Sequence, residues 1–401
     1  MLWISDYFPR PFKMNAGIWS IKTALALNKS GVEVIVLSPT PWIPKWMAFT
    51  PKLIGWADVP YRYDIHDLPV YYPKCPHYPS SLIRKYVYNF LPFLETEAIY
   101  KWIDSTVSDI MDNSPFQLIH ANFMFPSGYI GYRIKKKYGV PLIFHERGIR
   151  RLETALKNGR LRGIYSKVVR DSDLVIAPSE KMAEILRRNF PCGGDITVVR
   201  DVGDIEISDE AAEPRPNRYQ ENKIILSVGA LIERKGHEVL VKAVRRIKEN
   251  IPEVKCLIIG SGDRFEKIKQ LIHGLGLNDS VEMLGELPHI EVLKIMSWCD
   301  VFVLPSWDEA FGTVNAEAMT FGKPIIGCVG EGISEVIEDG VHGFLVEKQD
   351  VEALAQAISR ILTEIPLARR MGAQSMELSK NVLNYNQISS QMIKLYANIL
   401  S

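Results

Sequence analysis

Short runs of apolar and β-branched residues alternate along this chain with longer segments of helical periodicity. Such alternation predicts parallel α/β architecture, in which each buried strand is followed by a helix that covers the sheet. Two similar doubly wound domains are expected, because the rhythm runs through both halves of the chain. The predicted strands are 2–5, 32–37, 117–120, 142–144, 174–177 and 196–199 in the first half, and 224–228, 256–259, 281–284, 301–304, 324–326 and 344–346 in the second.

The two halves share a fragment, which runs from Asp173 to Ser179 and again from Asp300 to Ser306. Each copy reads as an aspartate, four apolar residues, a proline and a serine. We interpret each copy as a buried strand that ends in a turn. A repeated role at the start of a strand explains Asp173 better than a metal-binding D-x-D with Asp171.

The length of 401 residues also favours two domains of similar size. Acidic residues together with Pro214 and Pro216 interrupt the apolar rhythm, which predicts a linker over 206–222. The predicted domains are therefore 1–205 and 223–386. A last helix over 387–400 follows a break near 381–386.

Composition narrows the compartment and the partners. The 48 basic and 47 acidic residues nearly cancel, so net charge gives no reason to expect a nucleic-acid partner. Five cysteines without a C-x-x-C pair predict free thiols in a reducing compartment, and the sequence shows no metal-binding cluster. Neither a signal-peptide pattern at the start nor an apolar run of about 18 residues is present. We expect a cytoplasmic protein. The sequence is also compatible with peripheral binding at the inner face of the cell membrane.

The richest candidate site is the stretch PSWDEAFGTVNAEAM, from Pro305 to Met319. It follows an apolar strand, places Glu309 in a loop and Glu317 in the next helix, and so brings two carboxylates towards the carboxyl end of that strand. Ligands of open α/β sheets bind at that end. Gly312 and the helix amino terminus offer N–H groups to a phosphate. The alternative is a solvated acidic loop followed by an ordinary helix face.

Two adjacent cations follow the first strand of the second half. Arg234 and Lys235, in the sequence Glu-Arg-Lys-Gly, can neutralise a pyrophosphate electrostatically without a metal. The next strand is followed by a short G-x-G, formed by Gly260 and Gly262. Surface charge is the competing interpretation of the cations.

The segment that contains Glu309 and Glu317 resembles the E-x7-E motif of retaining glycosyltransferases, most closely glycosyltransferase family 4. The resemblance implies the GT-B fold, which has two Rossmann-like domains, an inter-domain cleft and a last helix that packs back on the first domain. It implies that the second domain binds a nucleotide sugar and the first an acceptor. Donor-binding residues implied besides Glu317 are Gly17, Gly260, Gly262, Leu287, Ala310, Phe311, Gly312 and Thr313.

Two histidines end adjacent predicted strands of the first half. His120 lies in IHANF and His145 in FHERG, and both are expected to open on the cleft. The first segment is similar to the H-x-H of the family, with Asn122 in place of the second histidine. This implies a catalytic role for His120, alongside Glu309, Arg234 and Lys235, and contacts of Asn122 and His145 with sugar or acceptor. The alternative is a structural role for each histidine.

Two segments of the first half bear on the chemistry of the acceptor and on binding to a membrane. Basic residues outnumber acidic ones between 133 and 170, which predicts attraction of phosphate-bearing partners or an anionic membrane surface. Aromatic residues interleave with basic ones between 41 and 72, a pattern typical of membrane interfaces and carbohydrate platforms. A solvated helix surface and a packed insertion are the respective alternatives.

Together with these residues, the resemblance implies transfer of a sugar, with retention, from a nucleotide diphosphate sugar to an acceptor hydroxyl. A UDP sugar is the favoured donor and a GDP sugar the other option. The acceptor is expected to be a glycan or lipid-linked precursor in cell-surface polysaccharide or glycolipid biosynthesis, with no metal or other cofactor. A sugar-nucleotide epimerase of the same fold and a non-catalytic nucleotide-sugar-binding module remain alternatives. Neither half shows G-x-G-x-x-G after its first strand, which disfavours a dehydrogenase.

Overall fold

A computed structural model describes residues 1–14, 16–75, 92–200 and 213–401. The chain divides into two compact units, the first formed by Met1–Arg200 with Ile388–Ser401 and the second by Asp201–Gln387. Part of the predicted linker, 206–212, lies outside the described residues. No helix in the described part of the chain is long and apolar enough to cross a bilayer.

The first unit is built on a seven-stranded parallel sheet in the order β4-β2-β1-β6-β7-β8-β9. The strands predicted for this half are confirmed. The residues of β1, β6, β7 and β8 are buried throughout, as expected of a parallel sheet covered on both faces, whereas those of the edge strand β9 are partly exposed. Three strands of two residues each were not predicted, and two of them, β3 and β5, pair only with each other. The strands are β1 Leu2–Ile4, β2 Ile35–Leu37, β3 Thr40–Pro41, β4 Val70–Tyr71, β5 Lys74–Cys75, β6 Ile119–Asn122, β7 Leu142–His145, β8 Leu174–Ala177 and β9 Asp195–Val198.

Helices cover this sheet and bury its apolar core. Local signals set several of their ends: Ser179 caps one helix through a bond from Met182 N–H (3.3 Å), and Gly139, with φ of 69°, ends another. The helices are α1 Ile18–Lys29, α2 Pro51–Asp58, α3 Pro92–Asn113, α4 Tyr129–Tyr138, α5 Ile149–Lys157, α6 Gly159–Asp171 and α7 Glu180–Asn189.

The second unit contains a six-stranded parallel sheet in the order β12-β11-β10-β13-β14-β15. Renumbered from its own first strand, this order is 3-2-1-4-5-6, the arrangement of dinucleotide-binding sheets. The strand order reverses between β10 and β13, so the loops after these two strands diverge and leave a crevice. The strands are β10 Lys223–Val228, β11 Val254–Ile259, β12 Val281–Gly285, β13 Val301–Val303, β14 Ile325–Cys328 and β15 Gly343–Val346.

The helices of the second unit pack on a core that includes strands β10, β11, β13 and β14. The last helix begins in this unit, and its residues from Ile388 onward belong to the first unit, where Ser389 and Tyr396 are buried. The helices are α8 His237–Ile247, α9 Phe265–Gly274, α10 His289–Trp298, α11 Thr313–Thr320, α12 Val351–Thr363, α13 Ile365–Val382 and α14 Tyr385–Leu400.

The repeated fragment has the same structural role in both units. Asp173 exchanges bonds with Leu142, at the start of β7: its carboxylate accepts the Leu142 N–H (2.7 Å) and its own N–H donates to the Leu142 carbonyl (2.9 Å). Asp300 does the same with Ile224 of β10, at 2.6 and 3.0 Å. The interpretation of these aspartates as strand-start residues is therefore confirmed, and Asp171 is ion-paired to Lys136 (2.8 Å).

Candidate active site

Two glycines in the loop after β11 pack closely on the loop after β10. A Cβ on Gly260 would lie 1.9 Å from the carbonyl oxygen of Gly229, and one on Gly262 would lie 2.3 Å from that of Leu231. Only glycine permits such close packing of the loops that follow β10 and β11. The structure thus gives Gly260 and Gly262 a packing role, and their contact with a donor stays a prediction.

Arg234, Lys235 and Glu309 come together at the point where the strand order reverses. Lys235 Nζ forms an ion pair with Glu309 Oε2, and Arg234 Nη1 lies 3.7 Å from the same oxygen. The backbone reinforces the join, since Trp307 N–H donates to the Arg234 carbonyl (2.8 Å). The three side chains are 13 to 23 % exposed. Residues 74 positions apart in sequence therefore form one partly buried charged cluster.

The Glu309 loop is held by the segment that follows β14. Glu331 is buried, and its Oε2 accepts the Glu309 N–H (2.8 Å) while Lys348 Nζ lies 2.6 Å from its Oε1. A Cβ on Gly332 would lie 2.0 Å from the Ala310 carbonyl, so the backbones are in close contact. The contact of Glu331 with Glu309 was not predicted from the sequence. The available signal was a charged residue between Gly330 and Gly332.

Glu317 has a partner that the sequence did not single out. Nε2 of His289, the first residue of α10, lies 3.1 Å from Glu317 Oε1, and both side chains are about one-quarter exposed or less. Asn315 is buried and its amide donates to the Gly312 carbonyl (3.1 Å), which fixes the start of α11. Of the other predicted donor-binding residues, Ala310 and Phe311 are buried, whereas Leu287, Gly312 and Thr313 are half-buried.

His237 is the first residue of α8 and adds no charge to the cluster. Its side chain is buried, and this burial is the main reason that the pKa of His237 is lowered to about 4. The positive charge of nearby Lys235 lowers the pKa further. The ring is therefore neutral near pH 7. The positive charge at this strand end comes from Arg234 and Lys235.

The two strand-end histidines of the first unit are buried, contrary to the expectation that they open on a cleft. His120 and His145 have no exposed surface. His120 Nδ1 lies 2.8 Å from the Tyr396 hydroxyl, its Nε2 lies 3.3 Å from His145 Nδ1, and its ring stacks on Trp3. Burial, followed by the charge of Arg147, lowers the pKa of both histidines well below the usual range. Both rings are therefore neutral at physiological pH.

Asn122 and Gly17 serve contacts within the first unit. The Asn122 amide donates to the Ile4 carbonyl (3.3 Å), and its oxygen accepts from Arg147 Nε (3.2 Å). Gly17 has φ of 69°, and a Cβ there would lie 2.3 Å from the Tyr7 carbonyl. The close packing of Gly17 against the Tyr7 backbone is thus enough to require a glycine here. A contact of Gly17 with a ligand stays a prediction.

The basic segment of the first unit is more nearly neutral than its sequence suggested. Acidic residues from outside 133–170 pair with four of its cations, so the expected concentration of positive charge is partly cancelled. The pairs are Arg133 with Glu97, Lys135 with Asp173, Lys136 with Asp171 and Lys137 with Asp104. Within the described ranges, no three His, Cys, Asp or Glu side chains form a group that could hold a metal.

Comparison with protein families matches almost the whole chain. A family model described as Glycosyl transferases group 1 matches residues 208–378, and one described as Glycosyltransferase Family 4 matches residues 21–201. An uncharacterized glycosyltransferase of Methanocaldococcus jannaschii is 28 % identical over 68 % of this chain and 73 % of its own. A Bacillus subtilis protein named for teichuronic acid biosynthesis is 24 % identical over 90 % of this chain and 88 % of its own.

Solved structures share the fold over nearly all of both chains. Sucrose-phosphate synthase from Thermosynechococcus elongatus superposes with a TM-score of 0.78 at 23 % identity, covering 99 % of this chain and 98 % of its own. HepE from Anabaena, solved in complex with UDP and glucose, superposes with a TM-score of 0.73 at 18 % identity, covering 99 % of each chain. At these identities the likeness shows the fold alone.

Proposed function

This chain belongs to glycosyltransferase family 4 and has the GT-B fold, and from that premise we propose that it transfers a sugar, with retention, from a nucleotide diphosphate sugar to an acceptor hydroxyl. The observation that carries this proposal is the cluster of Arg234, Lys235 and Glu309 at the reversal point of the second sheet. Two cations and a carboxylate at such a point suit a ligand with a diphosphate next to a sugar.

In the proposed reaction, the donor diphosphate takes over the cations that Glu309 now engages. Arg234 and Lys235 then stabilise the negative charge that develops as the bond between sugar and phosphate breaks. Glu309, released from Lys235, either stabilises positive charge on the sugar or holds its hydroxyls. The acceptor attacks from the face that the phosphate leaves, and a phosphate oxygen takes its proton, which retains the anomeric configuration. The carboxylate of Glu317 accepts hydrogen bonds from the ribose hydroxyls.

The proposed mechanism requires no metal, because the cation pair supplies the charge that a metal would bring. UDP is the first candidate nucleotide, since HepE, which shares the fold, was solved in complex with UDP. The test is a thermal-shift screen of UDP, GDP, ADP and their sugar conjugates with EDTA present. A ligand that binds only the folded state raises the midpoint.

The variant for this screen is Arg234→Ala/Lys235→Ala. Its matched control is Lys242→Ala/Arg245→Ala, which removes the same two charges from the exposed face of α8. We expect a shift with one nucleotide family that persists in EDTA, survives the control and disappears in the site variant. A thermal shift that needs a metal would overturn the metal-free mechanism. If the shift were lost equally in the site variant and in the control, the cluster would not be part of the donor site.

The same donors separate transfer from the two other activities. An epimerase converts the donor sugar in the absence of acceptor, so isomerised donor after incubation alone would favour that alternative. A non-catalytic module binds donor and releases no nucleotide with any acceptor, and Glu309→Gln would leave its function intact. Nucleotide release that requires an acceptor and is lost in Glu309→Gln supports the transferase.

The proposed acceptor is a glycan or lipid-linked precursor that reaches the protein at the inner face of the cell membrane. This rests on the aromatic segment of the first unit, where Trp46 is 75 % and Phe49 80 % exposed beside the exposed Lys45 and Lys52. Trp and Lys side chains prefer the interface of anionic membranes. We expect sedimentation with phosphatidylglycerol vesicles, and its loss in Trp46→Ser/Phe49→Ser. Equal sedimentation of the variant and the parent, or no sedimentation of either protein, would overturn the proposal that this segment binds a membrane.

A further inference from the structure

His289 and Glu317 meet at the carboxyl edge of the second sheet. His289 is the first residue of α10, which follows β12, and Glu317 lies in the second turn of α11, which follows β13. Nε2 of His289 lies 3.1 Å from Oε1 of Glu317, although the two residues are 28 positions apart in sequence. Ligands of open α/β sheets bind at this edge. The pair therefore lies on the side of the sheet to which the proposed donor binds.

The hydrogen bond between the two side chains has a fixed direction. An ionised carboxylate has no proton to donate, so Nε2 of His289 carries the proton and donates it to Oε1 of Glu317. No other side chain in the described part of the chain donates to the Glu317 carboxylate, which is 19 % exposed. The second oxygen of Glu317 is therefore available to a ligand.

The two other carboxylates of this site are engaged by lysines. Glu309 is ion-paired with Lys235. Glu331 is buried, and its Oε1 lies 2.6 Å from Lys348 Nζ. Glu317 has no lysine or arginine partner among the described residues. Since a histidine can donate in its neutral form, it orders a carboxylate without the permanent charge of a lysine. Glu317 is thus arranged to accept hydrogen bonds from neutral donors such as hydroxyl groups.

The backbone that carries His289 is held on both sides. Pro288 precedes it with φ of −55°, an angle that the proline ring fixes, and the Pro288 carbonyl accepts the Glu291 N–H (3.0 Å) as α10 begins. At the end of β12, the carbonyl of Gly285 accepts the Gly260 N–H (2.7 Å). A side chain on such a fixed helix start can hold its partner in one orientation.

We infer that His289 is a positioning residue for the donor nucleotide. It fixes the Glu317 carboxylate in the orientation that accepts the ribose hydroxyls, and so makes the site select ribose over deoxyribose. Glu317 contacts the ribose, and His289 acts through Glu317. A carboxylate that is ordered before the ligand arrives loses less side-chain freedom on binding. The inference rests on the proposed function, in which Glu317 binds the ribose of the donor.

The test measures the preference for ribose. Calorimetry with the full chain gives the dissociation constants of UDP, GDP and ADP and of their 2′-deoxy analogues, and the preference is their ratio for the base that binds most tightly. We expect about tenfold tighter binding of the ribonucleotide, the effect of one hydrogen bond to a charged group. A ratio near one in the parent would overturn the inference.

The first variant removes the donor and keeps an aromatic ring. His289→Phe should lower the ratio to about twofold or less, because Glu317 is no longer held for its hydrogen bond to the ribose. The affinity for the deoxynucleotide should stay the same, which also shows that the variant is folded. If His289 only stabilised α10, both affinities would fall equally and the ratio would not change. That outcome would overturn the inference.

Two further variants sharpen this result. His289→Gln places an amide N–H near the position of Nε2 and should restore most of the ratio. His273→Phe makes the same change as His289→Phe at an exposed histidine of α9 and should leave the ratio unchanged. A ratio as low in His289→Gln as in His289→Phe, or an equal fall in His273→Phe, would overturn the inference.

A double-mutant cycle shows whether His289 acts through Glu317. Glu317→Ala should lower the affinity for the ribonucleotide to that for the deoxynucleotide, and adding His289→Phe should then change neither affinity. A further loss for the ribonucleotide alone would mean that His289 contacts the ribose directly, which would overturn the positioning role.

The outcomes also separate this inference from the proposed function. If nucleotides bind the parent and the ratio does not depend on His289, the inference fails and the donor site stands. If no nucleotide of either kind binds the parent, the proposed function fails and the inference fails with it.

Discussion

The ends of β8 and β13 show one fragment used in two ways. In both copies the aspartate bonds to the start of a neighbouring strand, and a cation pairs with it, Lys135 with Asp173 and Arg215 with Asp300. In both copies the proline and serine end the strand. The two units therefore share a framework that fixes where each strand begins and ends.

The copies differ after the serine. Ser179 caps α7, which begins at the next residue, whereas after Ser306 the segment 307–312 intervenes before α11 begins at Thr313. This inserted segment carries Glu309, whose N–H donates to the carboxylate of Glu331. The candidate chemistry therefore lies in a loop added to a framework that both units share. Loops tolerate insertion because they run over the surface, while strands cannot change length without losing register.

The largest expected effect is the loss of activity when the negative charge of Glu309 is removed. Glu309→Gln should lower the turnover of acceptor-dependent nucleotide release about 100-fold or more, because a preorganised charge at the reacting sugar is lost. The control is Glu180→Gln, the carboxylate that follows the serine in the other copy and pairs with Arg187 on the surface. Steady-state kinetics of both variants provides the measurement. Equal activity of Glu309→Gln and the parent would show that the insert carries no chemistry.

Removing the support of the insert should have the next largest effect. Glu331→Leu deletes the acceptor of the Glu309 N–H and leaves Lys348 without its carboxylate. Turnover should fall about 10- to 100-fold, because displacement of a catalytic group by about 1 Å is enough for such a loss. Glu338→Gln, on the exposed end of the same segment, serves as control. Unchanged turnover in Glu331→Leu would mean that the loop holds its position without Glu331.

The shared aspartates should matter equally for stability. Asp173→Ala and Asp300→Ala each leave a strand-start N–H and a cation without their acceptor. Both side chains are about one-third exposed, so we expect a loss of about 1–2 kcal/mol each, at the low end for bonds to charged groups. For units of this size that corresponds to a midpoint lower by roughly 2–8 °C. Calorimetry of the two variants checks this, and a large effect of only one would break the equivalence of the copies.

The smallest expected effect concerns the two serines. Ser179→Ala removes an N-cap and should cost about 1 kcal/mol. Ser306→Ala should cost less, because α11 begins after Gly312 and Ser306 does not cap it. The measurement is the thermal midpoint of each variant. A larger loss for Ser306→Ala would assign that hydroxyl a role outside helix capping.

The parts predicted well were those with strong local signals. The strands of both sheets were found because each is a compact apolar run, whereas β3, β4 and β5 have two residues each and leave no pattern. The positions of Arg234, Lys235 and Glu309 at the carboxyl ends of strands were predicted from the place where ligands of such sheets bind. The ion pairs between the two cations and Glu309 were not predicted. His289 and Lys348 were missed because a single side chain gives no sign of which distant carboxylate it contacts.

By itself, the sequence determined the alternating order of strands and helices, the repeated fragment and the charged residues at strand ends, since all of these depend on local periodicity and residue type. Only the tertiary structure decided the surroundings of those residues. His120 has the same sequence neighbours whether its ring is exposed or buried, and its burial depends on Tyr396, 276 residues away. The same holds for the basic segment, whose cations are paired with carboxylates from outside it. Burial and ion pairing are sums over spatial neighbours, and spatial neighbours are set by how the whole chain packs.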